Sequence, residues 1–108
     1  MLVCSLMITA GSLSAQVISE LPPFERAIAV IKHFEGLHNK AEHYPYVGYG
    51  HKVLPGENLS MDMTEEEADR LLRSDLMKLC KMFSGYGQDS LLLATLAYNV
   101  GYVSEYIM

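Results

Sequence analysis

The chain has 108 residues, half of them apolar, and a formal net charge of −5. That length allows at most one domain, and that apolar content supports a folded core rather than a disordered chain. The acidic balance argues against a nucleic-acid partner, which selects a basic face.

Residues 1–15, MLVCSLMITAGSLSA, carry no charged side chain. Leu2, Val3, Leu6, Met7, Ile8 and Leu13 make the run apolar, and small residues close it. The stretch reads as a secretory signal cut after Ala15, which places residues 16–108 in a secreted or periplasmic chain. It is too short for a membrane span, which needs about 20 residues. Of the two cysteines, Cys4 falls in this segment and Cys80 lies on an apolar helix face. The pair implies no disulfide framework, and Cys80 reads as a small core residue.

Gln16 to Leu21 reads as a linker, and Pro22-Pro23 opens a helix, where a missing N–H costs nothing. Phe24, Ala27, Ile28, Ile31 and Phe34 follow at helical spacing, and Gly36 is the natural stop. From 37 to 62 the character changes. Tyr44, Tyr46, Val47, Tyr49 and Val53 favour strands, and Gly48, Gly50, Pro55 and Gly56 punctuate them. This predicts a small antiparallel hairpin from His43 to Leu54.

Thr64-Glu65-Glu66-Glu67 is a capping box, with three acids at the positive end of the helix dipole. It predicts a helix from Glu65 to Met82, with an apolar face of Ala68, Leu71, Leu72, Leu76, Leu79 and Phe83. Ser84-Gly85-Tyr86-Gly87 ends it. A last helix begins near Asp89, and Leu91, Leu92, Leu93, Ala94, Leu96, Ala97, Tyr98 and Val100 leave it almost no polar face. Such a helix belongs in the middle of a domain. The seven residues Tyr102 to Met108 are too few to wrap it. Self-association through the 89–100 helix is therefore expected. The fold class is α+β and mainly helical.

Four groups could carry chemistry. Glu35 sits at the last turn of its helix, between Phe34 and Gly36. The negative end of the dipole and partial burial both favour the neutral acid there, the form that protonates a leaving oxygen in glycoside cleavage. The Gly48-Tyr49-Gly50-His51 run is an ordinary turn motif on its own, but it follows a Glu-Gly helix end and precedes a capped helix. Asp75 falls on the apolar stripe of the long helix, where it either takes a partner, His51 being the best placed by type, or sits half solvated at the edge of the stripe. His33, His38 and His43, with Glu42, do not share a helix face, so solvated histidines are expected rather than a metal site.

The order of these pieces resembles the phage-type lysozymes, glycoside hydrolase family 24. The residues that carry it are Phe34-Glu35-Gly36-Leu37, Gly48-Tyr49-Gly50-His51 and Thr64-Glu65-Glu66-Glu67-Ala68. Leu71-Leu72 with Asp75-Leu76 follow, then Leu96-Ala97-Tyr98-Asn99-Val100-Gly101. The resemblance spans roughly Ala27 to Gly101. It implies a lysozyme-like fold of two lobes joined by the Glu65–Met82 helix, and a His51–Asp75 ion pair. It also implies a muramidase that cuts bacterial peptidoglycan glycan strands with Glu35 as general acid and no cofactor.

The chain departs from that pattern at three places. Tyr44 stands nine residues after Glu35, where the family carries Asp or Cys. Tyr46 holds the place of the family's Thr, directly before Val47. Glu42 or His43 is left to activate a water, which would make the outcome inverting. The family continues with further helices after Gly101, so the second lobe is expected to be incomplete. The readings that compete with the hydrolase are a truncated, non-catalytic fragment and a periplasmic interaction module.

Overall fold

A computed structural model describes residues 18–100. The segment 1–15, read as a secretory signal, and the chain after Val100 lie outside the described residues. Three α-helices and one two-stranded antiparallel sheet organise the described part: α1 (Pro23–Glu35), β1 (Tyr46–Val47), β2 (His51–Lys52), α2 (Glu65–Met82) and α3 (Ser90–Asn99). Short 3-10 helices cover Ala41–His43 and Ser84–Asp89. The architecture is mainly helical with a small sheet.

Helix α1 starts at Pro23 and ends where Gly36, at φ +71°, donates its N–H to the carbonyl of Lys32. Ala27, Ile28 and Ile31 are buried. Phe34, expected on the same stripe, is instead 75% exposed and meets only the edge of His33. The core ends at this turn. The step of four from Ile31 carries Glu35, rather than Phe34, along the inner stripe.

The segment read as a linker differs in its described part. Ile18 and Ser19 are helical, Leu21 N–H donates to Ile18 O, and Arg26 reaches back to the carbonyl of Ser19.

The hairpin is shorter than the His43–Leu54 span that strand propensity suggests. His43 lies in the 3-10 turn, because its N–H goes to Lys40 O and that of Tyr44 to Ala41 O. Pro45 then has no N–H to offer a ladder. Pairing begins at Tyr46 opposite Lys52 and Val47 opposite His51. An antiparallel bridge joins His38 to Gly48, with both backbone bonds made, at 2.7 and 3.0 Å.

Helix α2 has the bounds that its sequence predicts. Thr64 Oγ1 accepts from Glu67 N–H at 3.1 Å, and the Glu67 carboxylate accepts from Thr64 N–H at 2.9 Å. Ala68, Leu72, Leu76 and Leu79 are buried, with Leu71 and Phe83 packed beside them. An ionic clamp ties α1 to α2. Arg73 grips both oxygens of Glu25, at 2.7 and 2.9 Å, and its Nε donates to Asp69. Lys32 meets the other Asp69 oxygen at 2.6 Å.

Helix α3 packs chiefly on α2 and also on α1. Small residues, Ala94 and Ala97, make the buried contact, and Leu91 and Tyr98 pack against the core. Its outer side stays apolar, with Leu92 60%, Leu96 52% and Val100 71% exposed.

The core therefore rests on α2. Leu76→Ala, at a fully buried position, should lower unfolding free energy by about 3 kcal/mol. Urea denaturation followed by circular dichroism measures it. A loss below about 1 kcal/mol would mean that the site collapses or was never packed.

Candidate active site

The Gly48–His51 turn is the point on which all three helices converge. Gly48 has φ +61° and lies against α2, where a Cβ would meet Ala68 Cβ and Met63 Sδ at 3.4 Å. Gly50 has φ +95°, and a Cβ there would lie 2.6 Å from Glu35 Oε1. The positive φ favours glycine, and a Cβ there would in addition have to displace the Glu35 carboxyl. The half-buried Glu35 carboxyl thus rests directly on the backbone of Gly50.

Three contacts hold the turn. His38 Nδ1 faces the carbonyls of Gly36 and Gly48 at 3.1 and 3.3 Å, which joins the end of α1 to the turn. Tyr98 of α3 donates its hydroxyl to Tyr49 O at 2.7 Å. His51 Nδ1 lies 2.7 Å from Asp75 Oδ2 on α2. The structure therefore brings His51 and Asp75 together, with side chains only 11% and 16% exposed.

A second carboxylate joins that pair. Glu57 Oε1 lies 2.9 Å from His51 Nε2 and accepts the N–H of Leu54 at 2.7 Å. With a carboxylate on each ring nitrogen, the imidazolium donates both ways. Burial alone would push His51 down, but its hydrogen bonds to Asp75 and Glu57, and their charges, outweigh it and hold His51 above its ordinary value. Burial raises Glu57, but the bonds from His51 and Leu54 outweigh it and the net movement is down. Nothing in the sequence marks Glu57 except its place three residues after Leu54 across a Pro-Gly turn.

The other expected site residues form a group around His38. His43 stacks edge-on against His38, with ring centroids 5.0 Å apart, and accepts the N–H of Lys40. Tyr46 lies on β1 with its ring tilted 6.3 Å from that of His38. Glu42 is exposed on the 3-10 turn beside His43. No hydrogen bond among the described residues joins Glu42, His43 or Tyr46 to Glu35. Among those residues, no group of three or more His, Cys, Asp or Glu is arranged to hold a metal ion.

The half-buried Tyr98 stays a phenol under all ordinary conditions. Burial pushes its ionisation well up, and the charges of Asp75 and Glu35 add to that. Its position near both carboxylates connects the acid of α1 with the ion pair on α2. Cys80 is a free, half-buried thiol, pushed up by burial.

Comparisons with protein-family models, curated proteins and solved structures found no match.

The doubly bonded His51 has a signature in pH. A histidine raised in the folded state stabilises fully below its unfolded value, 6.5 here, and loses that contribution as pH rises through the folded value. Glu57 is lowered, so its contribution is present above 4.5 and fades as pH falls through its folded value. Stability should therefore fall as pH rises from about 6.5 through the folded value of His51 in the wild type, and stay flat over that range in His51→Gln. His51→Ala, which leaves Asp75 unpaired, should cost about 3 kcal/mol at neutral pH. Urea titrations across that range check both; a flat wild-type profile, or a loss under about 0.5 kcal/mol, would contradict the assignment.

Proposed function

We propose that this chain is a lysozyme-type hydrolase of bacterial peptidoglycan, of the phage-lysozyme kind, acting as a secreted or periplasmic protein. The observation that carries the reading is the seat of Glu35. A carboxyl at a helix end, held against a Gly-Tyr-Gly-His turn that is itself pinned to the long helix by His51 and Asp75, is the arrangement its motifs imply. The glycan strand would lie over the turn, and Glu35 would protonate the glycosidic oxygen beside N-acetylmuramic acid as the bond breaks.

The water-activating group is Glu42 or His43 in this reading. An inverting mechanism places acid and base about 6.5–9.5 Å apart, with room for a water between them. Tyr46, exposed beside His38, is available to the sugar rather than to the proton transfer. The fold would be the first lobe and connecting helix of a lysozyme, with α3 beginning the second.

A second reading rests on a different observation. The outer face of α3, with Leu92, Leu96 and Val100, is apolar and uncovered among the described residues. Covering each large side chain would stabilise by about 1.5–3 kcal/mol. This face favours a module that self-associates or docks on a periplasmic partner, with or without catalysis.

One sample separates the two. Glu35→Gln keeps shape but has no proton to give, so lysis of purified cell walls should fall at least about a hundredfold. The fold should remain unchanged by circular dichroism. Lysis at the wild-type rate in Glu35→Gln would overturn the hydrolase. Light scattering on the wild type tests the other reading: a self-associating chain without lysis favours the interaction module, and a lytic monomer refutes it.

A further inference from the structure

We propose that Tyr98 is a positioning residue for Glu35, acting through the turn between them. Its hydroxyl fixes the carbonyl of Tyr49 at 2.7 Å. The next residue is Gly50, whose backbone lies against the Glu35 carboxyl. Of the contacts that hold the turn, this bond from α3 is the one made to the peptide that joins Tyr49 to Gly50, the floor on which the acid rests. As a statement about catalysis, this rests on the lysozyme-type reading; as a statement about placement, it does not.

Several features make this bond a firm one. Tyr98 packs against the core and neighbours Ala97, while Ala94 lies one helical turn earlier. These small buried residues let α3 approach closely enough for a side chain to reach the turn. The tyrosine has one hydroxyl proton, and it is committed to Tyr49 O. Burial and the neighbouring charges of Asp75 and Glu35 keep that proton in place, so Tyr98 remains a donor and is not itself a proton shuttle. A phenylalanine would fill the same core space but leave the Tyr49 carbonyl without this partner. The turn, with positive φ at both Gly48 and Gly50, would then be free to relax away from Glu35.

Tyr98→Phe is the test, with Thr95→Val as control. Thr95 is on the same helix, but its hydroxyl bonds only its own helix, at Leu91 O. Two readouts are taken on the full chain. The first is NMR at fixed pH, following the Gly50 amide and the Glu35 carboxyl carbon. The second is hydrolysis of soluble peptidoglycan fragments. In Tyr98→Phe both resonances should move, and kcat should fall about tenfold with KM within about twofold, as for loss of alignment rather than of binding. Thr95→Val should change neither.

Unmoved resonances in Tyr98→Phe overturn the proposal. So does an unchanged kcat in a chain whose wild type is lytic, or an equal fall in kcat in Thr95→Val. A wild type without any hydrolysis defeats the hydrolase reading instead, and the resonances still decide whether Tyr98 places Glu35.

Discussion

The carboxyl of Glu35 lies so close to Gly50 that a Cβ there would have to push it aside. Everything around it serves that contact. Helix α1 must stop at Gly36 for Glu35 to be its last residue, and the inner stripe must run from Ile31 to Glu35 rather than to Phe34. The turn must come close, which Gly48 permits by lying against Ala68 without a side chain. A larger residue at Gly50 would push the Glu35 carboxyl off this seat, and one at Gly48 would be strained by its positive φ.

The forces that hold this geometry differ in kind. The apolar core of Ile28, Ile31, Leu72, Leu76 and Leu79 supplies the bulk of the stabilisation. The Glu25–Arg73–Asp69–Lys32 clamp lies nearer solvent and contributes little per pair, but its bidentate geometry fixes how α1 sits on α2. The His51–Asp75 pair is the more buried one. It fastens the turn to α2 and is supported on the other ring nitrogen by Glu57. Removing one partner there leaves an unmatched charge, so the pair matters more to specificity of placement than its net strength suggests.

Much of the helical framework was legible in the sequence. The capping box at Thr64 and the stripe from Ala68 to Leu79 locate α2, because local hydrogen bonds and periodicity both act over a few residues. The apolar stripe alone leaves Asp75 either paired or half solvated, and it is the family resemblance that implies its meeting with His51. The hairpin is shorter than strand propensity implies, since that propensity at Tyr44 is overridden by the 3-10 turn before it and by Pro45. Glu57 and the hydroxyl of Tyr98 were not legible as site groups. Each acts across a distance in sequence that only the fold closes, and Tyr98 reads locally as one more residue of an apolar helix. Nor does the fold join the proposed water-activating residues to Glu35 by a hydrogen bond: His43 and Tyr46 lie against His38, and Glu42 is exposed beside His43.

The central claim is that Gly50 seats the Glu35 carboxyl in the position that the proposed hydrolysis needs. Gly50→Ala tests it most directly, with a crystal structure and a wall-lysis assay on the same protein. The account predicts a folded chain, less stable by about 1–3 kcal/mol from the strained φ, in which the Glu35 carboxyl is displaced and lysis is lost. A variant with Glu35 unmoved and lysis intact would contradict it.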